Sequence, residues 1–541
     1  MTSLPVSMPK ILLALLATFA LTAQAQSTPP ATIAAPSSAQ AAGSDTAPAA
    51  PALFAAHCAQ CHGADRLGAM GPALFPENLE RLRKPEALRT VSEGRIATQM
   101  PAFKDTLKPT EIAALVDWIY SPVTPPPRWN DEDIAASRVL VTDPKTLSKR
   151  PVFKADPLNL FVVVEGGDHH VSIVDGDKLE PIYRFASHYA LHGGPKFSPD
   201  GRYVYFASRD GWITKFDLWN LKVIAEVRVG INTRNAAVSG DGRYVIAANY
   251  LPRNLVLLDS DLKLVKTMEA RSLDGKTLSR VSAVYTAEPR HSFVAAMKDI
   301  PELWEISYDE KAAPIHDGYV HDYKMGEAIA KPGFLNARRT PLEDVLDDFF
   351  FDQSYRNVMG TSREGKGQVV NLDARSKIAD LDLPGMPHLG SGITWQRQGR
   401  TVMATTDLKA AAVSVIDLST WQPVKTIPTR GPGFFLRSHE NSRYAFVDSM
   451  MSKDFKDTLQ VIDKDSLEVV KELRPVPGKT LAHVEFTKDG RYALASLWET
   501  DGALIVFDAR TLEEVKRIPM NKPVGKYNVW NKINRSEGTS H

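Results

Sequence analysis

Cys58-Ala59-Gln60-Cys61-His62 is the stretch of this chain whose residue types and spacing most directly specify a chemistry. Two thiols three positions apart, with a histidine directly after the second, form the C-x-x-C-H pattern that anchors a c-type haem. Each sulfur can add to one haem vinyl group, and the imidazole then reaches the iron from the proximal side. The motif uses both cysteines of the 541-residue chain, so none is left for a disulfide. A zinc knuckle would need a further ligand of suitable type nearby, and a redox dithiol would not need the histidine. A haem iron of this class takes a sixth ligand, and a thioether there raises the potential relative to a second imidazole. Met100, in Met100-Pro101-Ala102-Phe103, is the candidate. Met70, in Gly68-Ala69-Met70-Gly71-Pro72, competes but follows His62 too closely to cross to the distal face. Core filling is the ordinary use of either methionine.

The elements around the motif suit that chemistry. Lys10, the apolar run Ile11 to Leu21 and Ala23-Gln24-Ala25 have the three parts of a secretory signal peptide over residues 1–25, too short to span a bilayer. Export places the chain in the periplasm, with no membrane span after cleavage. Residues 26–51, rich in Ala, Pro, Ser, Thr and Gln, read as a tether. Residues 52–121 form a first domain. A helix over Leu53 to His57 leads into the haem motif. An amphipathic helix over Pro109 to Tyr120 closes the domain, with Ile112, Leu115, Val116 and Ile119 on one face. Pro109 suits the first helical position, and Glu111 complements the helix dipole. Together they resemble a small all-α class I cytochrome c. Residues 122–150, opening on Pro122 and Pro125-Pro126-Pro127, read as a semi-rigid connector.

Residues 151–541 read as a repeat array. Asp200-Gly201-Arg202-Tyr203 returns as Asp241-Gly242-Arg243-Tyr244 and Asp489-Gly490-Arg491-Tyr492, with weaker copies at Gly399-Arg400-Thr401 and Ser442-Arg443-Tyr444. Each phrase precedes a strand, and a second strand then ends in aspartate, as in Ile213 to Asp217, Leu255 to Asp259, Val413 to Asp417, Leu459 to Asp463 and Leu504 to Asp508. Periods of about 40–50 residues with several strands each indicate a β-propeller. Less regular units near Leu160–Asp175, Ser292–Tyr308 and Arg356–Asp373 bring the count to eight blades, with seven open on spacing alone. Segment 309–354, with His316 and His321, reads as an insertion between blades. The 65 basic and 64 acidic residues are nearly balanced, and no basic stripe points to nucleic acid.

A cytochrome c domain joined to an eight-bladed propeller resembles the cytochrome cd1 nitrite reductase superfamily, from about residue 52 to the end. Three segments carry the resemblance: Tyr189-Ala190-Leu191-His192; Ser208-Arg209-Asp210-Gly211 with Trp212 to Trp219; and Gly525-Lys526-Tyr527-Asn528-Val529. In that family the propeller holds haem d1 in its central mouth, so the resemblance implies the same tetrapyrrole here, with His192 as its iron ligand. Haem d1 is a polycarboxylate, and arginine forks match carboxylates. Arg209, Arg234 and Arg280 are the candidates, ahead of Lys298 and Arg437. Without the resemblance, His192 reads as a loop histidine and the arginines as surface or blade-to-blade charges.

The chain also departs from the nitrite reductases, which place two histidines over the d1 iron. One position is matched by His388, in Met386-Pro387-His388-Leu389-Gly390; the other family segment, His-Asp, is matched to Phe351-Asp352. His483 occurs instead in Leu481-Ala482-His483-Val484-Glu485-Phe486, and Tyr527 lies on the last strand. This pattern, with the terminal Arg535 to His541, resembles the NirN branch, the dihydro-haem d1 dehydrogenases. The resemblance implies oxidation of one propionate side chain to an acrylate, the last step of haem d1 biosynthesis, with electrons passing to haem c. His483 is the expected base, His388 the second candidate and Tyr527 an assisting hydrogen-bond donor, since proton removal needs a group with pKa near working pH. Implied partners are the tetrapyrrole, a periplasmic electron acceptor and, transiently, the nitrite reductase that receives haem d1. A working nitrite reductase, a haem d1 carrier and a propeller interaction module are the rival readings.

Overall fold

The computed structural model describes residues 49–69, 71–79, 82–94, 100–316, 330–362 and 365–534. The leader over 1–25, nearly all of the tether, Met70, His321 and the segment from Arg535 to His541 lie outside the described residues.

The helical part begins with Ala50–His57, so the end of the segment read as a tether is already helix. This helix stops at Cys58, and a single turn, Ala59–His62, carries the rest of the haem motif. Helices Lys84–Glu93 and Pro109–Ile119 follow. The last starts as its sequence predicts: Pro109 occupies the first turn, and the Glu111 carboxylate accepts the Lys108 backbone N–H at 2.7 Å. Its buried stripe Ile112, Leu115, Val116 and Ile119 packs on Leu53 and Phe54, whose ring lies 4.9 Å from that of Trp118. Arg66 joins the haem loop to this helix, donating to the carbonyls of Trp118 at 2.7 Å and Ser121 at 3.0 Å.

The rest is a propeller of eight antiparallel sheets, which settles the blade count at eight. Its turns explain the recurring phrase. In Ser198-Pro199-Asp200-Gly201-Arg202-Tyr203, the serine hydroxyl donates to Asp200 at 2.5 Å and accepts the Tyr203 N–H at 2.9 Å. Ser239 with Asp241 and Tyr244, and Thr487 with Asp489 and Tyr492, repeat the arrangement. The strand-ending aspartates accept backbone N–H groups of the next turn, as Asp463 does from Asp465 and Ser466. These blades are therefore punctuated by side chains that satisfy their own turns.

The inner strand of blade 1 is the last strand of the chain, Pro523–Asn528, paired with Leu160–Glu165. This pairing closes the ring and covers what would otherwise be an open sheet edge. Blade 2 gains a fifth, outermost strand: Val139–Leu140 pairs with Lys222–Arg228. The connector is thus strapped to blade 2, helped by the helix Asp131–Ser137, which Asn130 caps.

Segment 309–354 is not an insertion between blades. Ala337–Pro341 is the outer strand of blade 4, and Asp348–Phe351 is the inner strand of blade 5. The long excursion falls within blade 4, between its third and fourth strands, which sequence periodicity cannot distinguish from a gap between repeats. His316 is exposed.

Candidate functional site at the propeller mouth

In the cytochrome part, His62 is buried and its Nδ1 donates to the Pro72 carbonyl at 2.8 Å. Burial lowers its pKa, so the ring is neutral with Nε2 bare, as iron ligation requires. Gly71 permits this: a Cβ there would sit 2.5 Å from the ring. Burial and the neighbouring Cys61 raise the Cys58 thiol to about 11. This loop fits a covalently held haem. Met100 follows on a loop anchored beside the Lys84–Glu93 helix, where the Phe103 N–H donates to the Val91 carbonyl at 3.0 Å.

In the propeller, each sheet from blade 2 to blade 8 places its first strand at one edge, as the closing strand Pro523–Asn528 does in blade 1. Side chains on these strands and the loops before them form a circuit of contacts. His192 is held by its Nδ1 donating to the Arg234 carbonyl at 2.7 Å. Its Nε2 faces two guanidinium groups, Arg234 at 2.7 Å and Arg209 at 3.0 Å. Tyr527 presses on the same loop, and only a glycine at 194 leaves room, because a Cβ would lie 2.9 Å from its ring. The Tyr527 ring meets that of His483 at 5.2 Å, His483 meets Phe435 at 4.6 Å, Phe435 meets Phe434 at 4.7 Å, and Phe434 meets His388 at 4.2 Å. His388 donates through Nδ1 to the Phe434 carbonyl at 2.8 Å. Two residues on, Gly390 abuts the Asp348 carboxylate, which accepts the Tyr285 hydroxyl at 2.8 Å.

Sequence reasoning brought together His192, Arg209, Arg234, His388, His483 and Tyr527, and the fold does place all six on this circuit. It missed Lys196, Tyr285, Asp348 and Phe434, which carry no motif and gather only through the ring. Arg280 lies off the circuit: its guanidinium forks onto Asp299, with Nε 2.9 Å from Oδ2. Lys298 is likewise paired with Asp347. Arg437 is buried, donating from Nη1 to the Leu436 carbonyl at 3.0 Å. Phe351, which the resemblance matches to a pocket histidine, ends its inner strand, packs with Phe349 and Tyr355, and lines the same cavity as Lys196 and Tyr285; Asp348 begins that strand.

The charges at the mouth are mostly positive and poorly solvated. Burial, then Arg209, Arg234 and Lys196, push the His192 pKa well below the ordinary value. Burial, then Lys526, Arg437 and Lys532, do the same to His483. Burial lowers His388 against the pull of Asp348. All three imidazoles are therefore neutral bases. Burial lifts the Tyr527 phenol to about 12 and drops the Lys196 ammonium to about 8. Both ring nitrogens of His483 and Nε of Arg437 have no hydrogen-bond partner among the described residues. Buried polar atoms left in this state each cost about 1–3 kcal/mol, and they mark where a ligand would supply the missing bonds. Lys196 and Tyr285 continue the mouth into a cavity of about 630 Å³, lined further by Ser239, Glu288, Phe351 and Lys532. An apolar-walled, cation-rich mouth with bare imidazoles fits a polycarboxylate tetrapyrrole.

The two halves meet close by, within one compact unit spanning residues 48–541. Arg228 donates to the Leu67 carbonyl of the haem loop at 3.0 Å and to the Asp210 carbonyl, next to Arg209, at 2.8 Å. Ala73 and Phe75 pack on Ile231 of the propeller.

Fold and site define a c-type cytochrome fused to a tetrapyrrole-binding propeller. The Cytochrome D1 heme domain model matches residues 155–532, and that of Cytochrome C oxidase, cbb3-type, subunit III matches residues 45–119. The chain belongs to the cytochrome D1 heme domain family and, within it, groups with the dihydro-heme d1 dehydrogenases: it is 55% identical to the dihydro-heme d1 dehydrogenase of Pseudomonas aeruginosa over 91% of this chain and 95% of the relative. A solved structure of dihydro-heme d1 dehydrogenase NirN in complex with DHE is similar with a TM-score of 0.78 and 55% identity, covering 89% of this chain and 99% of that one. Nitrite reductase of Stutzerimonas stutzeri is 26% identical over 89% of this chain and 92% of its own length. The protein accordingly carries haem c in its cytochrome part and a haem d1-type tetrapyrrole in its propeller. No helix among the described residues is long and apolar enough to cross a membrane.

Proposed function

We propose that this protein dehydrogenates dihydro-haem d1 in the periplasm, converting a propionate side chain to an acrylate. The –CH2–CH2– unit becomes –CH=CH–, releasing two protons and two electrons. The observation that carries this reading is the pair His483 and Tyr527: a buried neutral imidazole with both nitrogens unbonded, its ring centre 5.2 Å from that of a phenol.

In this reading His192 offers Nε2 to the substrate iron, with Nδ1 locked to the Arg234 carbonyl. Arg209 and Arg234 turn from the imidazole to the substrate carboxylates, with Lys196 and Arg437 adding charge. A bare ring nitrogen of His483 takes the proton from the saturated side chain. Tyr527, held neutral by burial, donates a hydrogen bond to the reacting group. His388, with Nε2 bare, is the second proton acceptor. Aromatic walls from Phe434 and Phe435 exclude water from the reacting carbon. Haem c, held by Cys58, Cys61, His62 and Met100, supplies a one-electron outlet toward a periplasmic acceptor. The finished haem d1 passes on to a nitrite reductase.

The test mixes purified protein with dihydro-haem d1 and an electron acceptor and follows the absorption spectrum. Acrylate formation by the native protein, and a loss of at least about 100-fold in His483→Ala, are expected, in line with general-base contributions of about 10²–10⁴. Unchanged turnover by His483→Ala sinks the base assignment. Rapid nitrite turnover with no acrylate formed decides for a nitrite reductase.

A further inference from the structure

His483 does not sit in a regular strand. Ala482 pairs with Ser496 and Val484 with Ala495, so His483 is an extra residue bulged out of the Leu481–Phe486 strand. Its φ is +49°, in the left-handed region that a histidine rarely occupies. A bulge turns the side chain toward the channel but leaves the backbone of the extra residue outside the ladder. Both groups are buried and need partners.

Those partners come from the two adjoining blades. On one side the Lys526 side-chain nitrogen, from the closing strand of blade 1, donates to the His483 carbonyl and to the Ser496 hydroxyl at 2.9 Å. On the other side the Asp448 carboxylate, from blade 7, faces the His483 N–H at 3.4 Å. Asp448 also accepts the Phe434 N–H at 2.8 Å and the Phe435 N–H at 3.2 Å, tying the bulge to the aromatic wall. Lys526 is wholly buried. Burying a lysine is costly enough that it is rarely done without a specific partner.

We infer that Lys526 is a positioning residue for His483: its bond to the His483 carbonyl holds the strained bulge that aims the imidazole at the substrate. The inference rests on the assignment of His483 as the base. The bonds of Lys526 go to the His483 carbonyl and the Ser496 hydroxyl, not to the imidazole.

The experiment compares the full-length, haem c-loaded protein with Lys526→Met, which removes the donor, and Lys526→Gln, which keeps a neutral donor on a shorter reach. Dehydrogenation of dihydro-haem d1 gives kcat, and spectral titration with haem d1 gives Kd. Lys526→Met is expected to lower kcat by about 10- to 100-fold, the scale on which a displacement of about 1 Å of a catalytic group acts, with Kd unchanged. Lys526→Gln is expected to lower kcat less, again with Kd unchanged. In a His483→Ala background, Lys526→Met is expected to add nothing, because the two changes act through one group. Native kcat in folded Lys526→Met overturns the inference, as does a rate loss matched by a loss of affinity. If Lys526→Met does not fold, Lys526→Gln decides by the same criteria. His483→Ala separates the two levels: if it alone abolishes turnover, only the Lys526 inference fails, whereas native turnover by His483→Ala removes its premise.

Discussion

Lys196 carries a conditional charge. An ordinary lysine keeps its ammonium to about pH 10.4, but burial lowers this one to about 8, although Asp348 nearby favours the charged form. Below pH 8 it is protonated and attracts substrate carboxylates; above, the free protein must take up a proton to recover that attraction. Affinity for haem d1 is therefore expected to fall as pH rises past about 8, a decline that spectral titration from pH 6 to 10 will show and that Lys196→Met will flatten. The same variant is expected to weaken binding at pH 7 by about 10-fold, the low end of the worth of a charge-assisted hydrogen bond of about 1.5–3 kcal/mol. The three mouth histidines behave differently. Their pKa values are pushed down from an ordinary value already below neutral, so they remain bases across this range.

Elements, rather than single residues, decide where each imidazole points. The turn after Cys58-Ala59-Gln60-Cys61-His62 returns through Gly71 and Pro72, so that the His62 ring lies in the space a side chain at 71 would fill. Gly71→Ala places a methyl 2.5–3.1 Å from ring atoms of His62. Overpacking of this kind costs about 1–3 kcal/mol, and it pushes Nδ1 off the Pro72 carbonyl. The expected result is a shifted haem c absorption spectrum and midpoint potential with haem d1 binding by the propeller unchanged; a native haem c spectrum and potential would show that the ring tolerates the methyl. The bulge at His483 is the same kind of device in a strand. A regular strand would pair residue 483 in the ladder; the extra residue turns it into the channel.

At the scale of the whole molecule, two features make one protein of two domains. Pairing of Pro523–Asn528 with Leu160–Glu165 closes the ring and delivers Tyr527 and Lys526 beside blade 8. Arg228 joins the haem loop to the loop carrying Arg209, and stacks over Trp129 at 4.8 Å. Replacing Arg228 with leucine removes two hydrogen bonds from a charged donor, worth about 1.5–3 kcal/mol each when formed. Arg228→Leu is expected to slow haem c reduction during a single turnover several-fold, measured by stopped-flow absorption, while Kd for haem d1 stays native. An unchanged reduction rate would mean that this contact does not hold the electron route.

The sequence alone determined what was local or repeated. The haem motif is contiguous, so its chemistry is legible in five residues. The turn phrases recur because each blade satisfies its own turn with its own side chains, which made the propeller readable. Tertiary structure decided what depends on closing the ring. Blade strands separated by more than 300 residues become neighbours there, and Lys526, Tyr527, His192 and His483 share a mouth only after closure. The irregular blades 4 and 5 were misdivided because a long excursion inside a blade looks the same as a gap between blades. The positioning of His483 was invisible because a bulge leaves no mark on hydrophobic pattern. It exists only in the mismatch between two paired strands, and in the lysine from a third that satisfies it.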